Sequence, residues 1–215
     1  MTITIRKIAP LDIEQESFRI ITEELGEKVK DPEDPTYKVI QRVIHATGDF
    51  SFFDNMRFSP GAVEAAIQAV RGGKNILTDV TMVAAGISKA MLADRGGRVF
   101  CNVADEKVAE LARTTKRTRS EVAIEKGLSE NIGIVAIGNA PTALLQAIKL
   151  VEQMREDEKP LIVGVPVGFV NAAESKALLH RDNPLHITSL GRKGGSPVAA
   201  AIVNALIRLA RHLNP

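Results

Sequence analysis

The sequence predicts an α/β fold, a three-layer α/β/α sandwich on a mainly parallel five-stranded sheet with a helical segment ahead of it, and three observations carry that reading. From residue 75 onward, short apolar runs at 75–78, 98–103, 132–137, 161–165 and 185–189 alternate with helix-length segments. The central run, Ile132-Gly133-Ile134-Val135-Ala136-Ile137, has no period-2 alternation, so both faces of that strand are covered, as in parallel sheets enclosed by helices. The segments between runs are long enough to cross over the sheet, which predicts right-handed βαβ units.

Ahead of the sheet, a first helix is expected over residues 12–25, with Phe18, Ile21 and Leu25 on one face, Ser17 and Arg19 on the other, and Gly26 past its end. Asp34-Pro35 reads as an N-cap followed by proline at the first helical position, opening a second helix that runs to about Thr47 and closes at Gly48. Ile40, Val43, Ile44 and Thr47 form its packed stripe. Arg42 and His45 stand three apart off that stripe, so a guanidinium and an imidazole point into the same space. A lone surface histidine is most simply solvated; the functional alternative is a proton donor beside an anion clamp. The following aromatic-rich loop (Phe50, Phe52, Phe53, Phe58) suits either a core plug or a wall for a flat ligand. Ser59-Pro60 starts a third helix, with Val63, Ala66, Ile67 and Val70 as its stripe, ending at Gly72-Gly73. Further helices are expected over 81–91, 105–114, 119–126, 141–155, 172–179 and 197–211.

A chain of 215 residues with 45% hydrophobic content can bury one sizeable core, and residues 1–215 are read as a single domain. With 28 basic and 26 acidic side chains the net charge is +2, no footprint for nucleic acid. The first residues lack an apolar core of signal-peptide length, and no segment reaches the ~20 apolar residues of a membrane span, so a cytoplasmic protein without a membrane partner is expected. The single cysteine, Cys101, reads as core filler within an apolar run rather than as a nucleophile.

The strand-to-helix turns hold the candidate chemistry. Those at 138–142, 164–171 and 190–197 are small, polar and glycine-rich. Pro141 suits the first position of a helix, and the turn before it is expected to present free backbone N–H groups at a strand's carboxyl end, suited to a carboxylate or phosphate. Ordinary turns share this composition. Lys116-Arg117-Thr118-Arg119-Ser120 is either a solvated face or a reach toward a polyanion. No Gly-x-Gly-x-x-Gly follows a strand and no Walker-type lysine loop occurs. His45, His180, His186 and His212 do not form a zinc motif, so no protein-held metal is expected, and no Gly-x-Ser-x-Gly nucleophile elbow is present.

Several of these stretches together resemble the precorrin-8X methylmutase family, also called cobalt-precorrin-8 methylmutase, of cobalamin biosynthesis. They are Glu16-Ser17-Phe18, Arg42-Val43-Ile44-His45-Ala46, Phe58-Ser59-Pro60, Thr118-Arg119-Ser120, Ile137-Gly138-Asn139-Ala140-Pro141-Thr142-Ala143, Pro166-Val167-Gly168-Phe169-Val170, Ala172-Ala173-Glu174-Ser175-Lys176 and Gly194-Gly195-Ser196. Each is weak alone; their order and spacing across nearly the whole chain are specific. The resemblance implies a flavodoxin-like homodimer and an isomerase that moves a methyl group from C-11 to C-12 of (cobalt-)precorrin-8, giving hydrogenobyrinic acid or cobyrinic acid. It implies no cofactor, any cobalt belonging to the corrinoid substrate. It makes His45 the proton donor and acceptor, and Ser17, Arg42, Thr81, Arg119, Ser120 and Asn139 the substrate contacts. The chain departs from the family pattern at Thr47, Asp49, Phe50 and Thr81, which bears on how the ring is held and on whether the substrate carries cobalt.

Two other readings compete. One is a corrinoid carrier that keeps the pocket without chemistry, against which stands the pairing of His45 with Arg42. The other is a signalling receiver on the same sandwich, which needs an acidic cluster for magnesium at the first strand's end; Asp79 is the only carboxylate there.

Overall fold

The structure is a computed structural model and describes residues 9, 12–182 and 185–212. Expectations about the first eight residues lie outside that range. Six strands form one sheet in the order β1-β6-β5-β4-β2-β3. Five of them, β2 (Asn75–Thr78), β3 (Val99–Phe100), β4 (Ile132–Ile137), β5 (Leu161–Gly164) and β6 (His186–Ser189), are parallel and occupy the predicted runs. Numbered among themselves they run 2-1-3-4-5, the flavodoxin-like order, whose topological switch point lies between β2 and β4.

The sixth strand corrects the expected count. Met56–Phe58 (β1) pairs antiparallel with β6, Met56 opposite Ser189 and Phe58 opposite Ile187, in the stretch read as an aromatic loop. The rest of that stretch is a short helix, α3 (Ser51–Asn55). Phe52 is buried, and Phe50, Phe53 and Phe58 pack partly buried against the core, so the aromatic cluster is a core plug.

Every residue of β4 is buried. Ile134 and Ala136 face the layer of α4 (Ala62–Arg71) and α11 (Ser196–His212). Ile132, Val135 and Ile137 face the layer that includes α8 (Arg119–Gly127), α9 (Pro141–Glu152) and α10 (Ala172–Asp182). Outside α11, α1 (Ile13–Leu25) and α2 (Pro35–Thr47) add a further helical layer. The Asp34 side chain caps α2 through Thr36 N–H at 2.9 Å, and Gly48 closes it in the left-handed region. Val43 and Ile44 are buried and Ile40 partly so, but Thr47 is exposed and turns its hydroxyl back to Val43 O, a correction to the expected stripe.

One expected helix is two, α5 (Thr81–Gly86) and α6 (Lys89–Ala93). Asn204 of α11 sits in the break: its Nδ2 donates to Gly86 O at 2.8 Å and its Oδ1 accepts from Ser88 N–H at 2.8 Å. One side chain thus takes both backbone groups that the helix would otherwise have paired. The remaining crossover helix, α7 (Glu106–Thr115), begins at the Asp105 cap. No helix among the described residues is long and apolar enough to cross a membrane.

Candidate functional site

The predicted site residues fall into two groups. Thr81, Asn139, Arg119 and Ser120 gather at the switch point. Asp79, just past β2, is wholly buried; its Oδ2 accepts from Asn139 N–H and Ala140 N–H at 2.8 Å each, and its Oδ1 accepts from Gly138 N–H at 3.1 Å. The donors read from sequence as free for a ligand are therefore committed to an internal carboxylate, which holds the start of α9 against the end of β2. Burial pushes the Asp79 carboxyl above its ordinary range while the three N–H groups pull it down. The chain before α8 is tied to the same place: Thr118 forms a capping box with Glu121, and its hydroxyl meets that of Thr142 at 3.0 Å. Arg119 and Ser120, in the first turn of α8, therefore flank the α9 N-terminus, where the Asn139 side chain is exposed.

Ser17, Arg42 and His45 form the second group, on α1 and α2. His45 is exposed on the last turn of α2, its ring edge-on to Phe18 with centroids 5.3 Å apart. The Arg42 guanidinium lies over the same Phe18 ring at 4.7 Å. It is not an open clamp: Nη1 donates to Glu14 Oε1 at 2.7 Å and Nη2 to Glu14 Oε2 at 3.1 Å. The hydrogen bond from Arg42 holds the Glu14 carboxyl below its usual range. Ser17 donates its hydroxyl to Ile13 O of its own helix at 2.7 Å. No hydrogen bond, ion pair or ring contact joins this group directly to the first among the described residues.

The β6–α11 loop ties α2 to the sheet edge. Lys193 Nζ donates to Asp49 Oδ2 at 2.6 Å and to Ser51 Oγ at 3.0 Å, just past the end of α2. Lys193 beside it holds the Asp49 carboxyl down at about 2. The Lys193 carbonyl accepts from Lys176 Nζ at 2.6 Å and Ser189 Oγ at 3.0 Å. Lys176 is wholly buried, and burial lowers its amine to about 8. Gly195 N–H donates to Val165 O at 2.8 Å and Gly168 N–H to Arg192 O at 3.2 Å, so two of the glycine-rich turns are laced together. Gly194, at φ 158°, is near-extended; a Cβ there would stand 2.2 Å from Val165 O, so its glycine answers to close backbone packing. Beyond the lacing the turns expose Val167, Phe169 and Val170, with Arg192 over the Phe169 ring at 5.3 Å.

Glu14, Lys176 and Lys193, which pair with or brace these elements, are not among the residues expected from the sequence. Lys176 carried a faint signal, because it shares the i, i+4 and i+7 face of α10 with the apolar Ala172 and Leu179, the face that the structure buries. The pairings of Glu14 with Arg42 and Lys193 with Asp49 cross 28 and 144 residues and leave no local pattern. Asp79 matches no metal site: no group of three or more His, Cys, Asp or Glu suited to a metal ion occurs among the described residues. Cys101 is a half-buried free thiol.

Residues 12–209 match the family model described as precorrin-8X methylmutase. The chain is 43% identical to the cobalt-precorrin-8 methylmutase of Priestia megaterium, over 94% of this chain and 89% of that one. It is 43% identical to the protein of the same name from Salmonella typhimurium, over 92% and 94% respectively. Among solved structures, the precorrin-8X methylmutase of Thermus thermophilus superposes with a TM-score of 0.81 at 40% identity, covering 93% of this chain and 96% of that chain. A precorrin-8X methylmutase related protein gives a TM-score of 0.80 at 33% identity, over 89% and 99%.

Proposed function

The chain belongs to the precorrin-8X methylmutase family of cobalamin biosynthesis, and from that premise we propose that it moves the methyl group of (cobalt-)precorrin-8 from C-11 to C-12, with His45 handling the proton. The observation that carries this reading is the exposed imidazole of His45, steadied edge-on by Phe18 one turn above Arg42. Protonation of the macrocycle by His45 draws electron density from the ring and eases migration of the methyl to the adjacent carbon. The proton then returns to His45, so the reaction is a net isomerisation. Positioned acid catalysis of this kind contributes on the order of 10² to 10⁴ in rate.

A substrate rich in carboxylates is held, in this reading, by Arg42 and Arg119, with Ser17, Thr81, Ser120 and Asn139 as neutral contacts. The chemistry calls for no cofactor, and cobalt, where present, arrives within the substrate. The acting unit is a homodimer in the cytoplasm. The test is turnover of precorrin-8, followed by the visible absorption of the corrin product, for wild type, His45→Ala and Arg42→Ala. His45→Ala is expected to lose roughly 10²-fold or more in kcat while still retaining cobyrinic acid on gel filtration. Turnover by His45→Ala at the wild-type rate would remove the imidazole from the reaction. Arg42→Ala is expected to weaken retention of the coloured product.

A further inference from the structure

We propose that Glu14 is the resting occupant of the Arg42 fork, and that a ligand carboxylate takes its place when the site fills. The inference rests on the corrinoid reading above and assigns the specificity of that site to a residue outside the predicted set.

The two partners are unequal. The Arg42 side chain is 20% exposed and held against the Phe18 ring, whereas that of Glu14 is 43% exposed. Arg42 is therefore the fixed member and Glu14 the one able to swing out. The bond between them uses both Nη atoms and both carboxylate oxygens, the two-pronged geometry in which a guanidinium recognises any carboxylate. A ligand carboxylate can reproduce that geometry atom for atom. It cannot do so while Glu14 remains, because a second carboxylate at the fork adds a like charge without adding donors.

The departing carboxylate has somewhere to go. Glu14, Phe18 and Arg42 line a cleft of about 390 Å³ between α1, α2 and α11, and Arg208 of α11 lines it too. Arg208 already attracts Glu14, and its Nε is buried without a hydrogen-bond partner. Moving from Arg42 toward Arg208 would keep Glu14 near a cation throughout, so the exchange needs no uncompensated charge.

Exchange makes Glu14 a filter for charge. An amide has the shape of a carboxylate but cannot neutralise Arg42, so a side chain ending in an amide leaves Glu14 in place. A ligand that brings a carboxylate displaces it, at an affinity reduced by the strength of the internal pair.

Titration of the full chain with cobyrinic acid and with tricarballylate, a small polycarboxylate, tests this in wild type, Glu14→Gln, Glu14→Asp, Arg42→Ala and the double variant Glu14→Gln/Arg42→Ala. Glu14→Gln is expected to bind both probes about three- to tenfold more tightly than wild type. Glu14→Asp, too short to span the same distance, should show a smaller gain. In the Arg42→Ala background the Glu14→Gln gain should fall below about twofold. Unchanged or weaker binding by Glu14→Gln, or a gain that persists without Arg42, would overturn the exchange while leaving the corrinoid reading intact. Tighter tricarballylate binding with no retention of cobyrinic acid in any protein would uphold the exchange and overturn the corrinoid reading instead.

Discussion

Lys176 shows what one side chain can set. Its side chain is wholly buried and its amine donates to a single described acceptor, the Lys193 carbonyl. Burial lowers its pKa from 10.5 to about 8, so folding favours the neutral amine. Between those values the unfolded chain binds more protons than the folded one, and stability therefore climbs as pH rises through that window. Urea unfolding at pH 8 and pH 10 is expected to show the wild type gaining roughly 1–3 kcal/mol relative to Lys176→Met. Equal pH slopes for the two proteins would show that the amine is not held neutral by the fold. Residues of this kind mark the limit of what a sequence conveys. Lys176 shares the i, i+4 and i+7 face of Ala172 and Leu179 in the sequence, but the carbonyl it serves is 17 residues away. Asp79 is the opposite case: its place after the first parallel strand was plain, and its partners, three backbone N–H groups some 60 residues on, were not. That pairing is why the turn at 138–140 proved to be a filled anion cradle rather than an open one.

At the scale of elements, helix ends were the most legible features. The Asp34-Pro35 start and Gly48 stop of α2, and proline at the first position of α9, follow from φ preferences and unpaired N–H groups within a few residues. What local rules could not supply were features made by distant partners. The break between α5 and α6 is enforced by Asn204, and β1 exists because β6 offers it an edge. The contact of Lys193 with Asp49 belongs to the same class, joining the β6–α11 loop to the corner after the helix that carries His45. Both side chains are partly exposed, at 56% and 31%, so the coupling in a double-mutant cycle of Asp49→Asn and Lys193→Met is expected below about 1 kcal/mol at neutral pH. Because Lys193 holds Asp49 down at about 2, that coupling is fully present above the ordinary carboxyl value near 3.8, declines below it and is lost as pH falls through about 2. A coupling undiminished at pH 2 would mean that the contact is not an ion pair.

For the whole molecule, the alternation of apolar runs and helices was enough to predict the parallel sheet, and the order 2-1-3-4-5 places its switch point beside Asn139 and Thr81. The layer of α1 and α2 outside α11 was legible only as separate amphipathic helices, since periodicity reports which face is apolar and not what will cover it. Exposed Met82, Val167, Phe169 and Val170 leave apolar surface for a second copy or a macrocycle to cover. Sedimentation of the purified protein is expected to give about twice the monomer mass of 23.2 kDa, and a monomer at micromolar concentration would count against the homodimer. The docking of α2 on α11 and of β1 on β6 also sets a schedule for synthesis. The segment bearing His45 leaves the ribosome before the surfaces that receive it, which are encoded some 130 to 150 residues later. At roughly 5–20 residues per second that segment waits on the order of ten seconds without its partner. The imidazole is thus made well before the helix that backs it, and a message cut short before α11 would yield a nascent chain with its sheet begun and α2 without its main support.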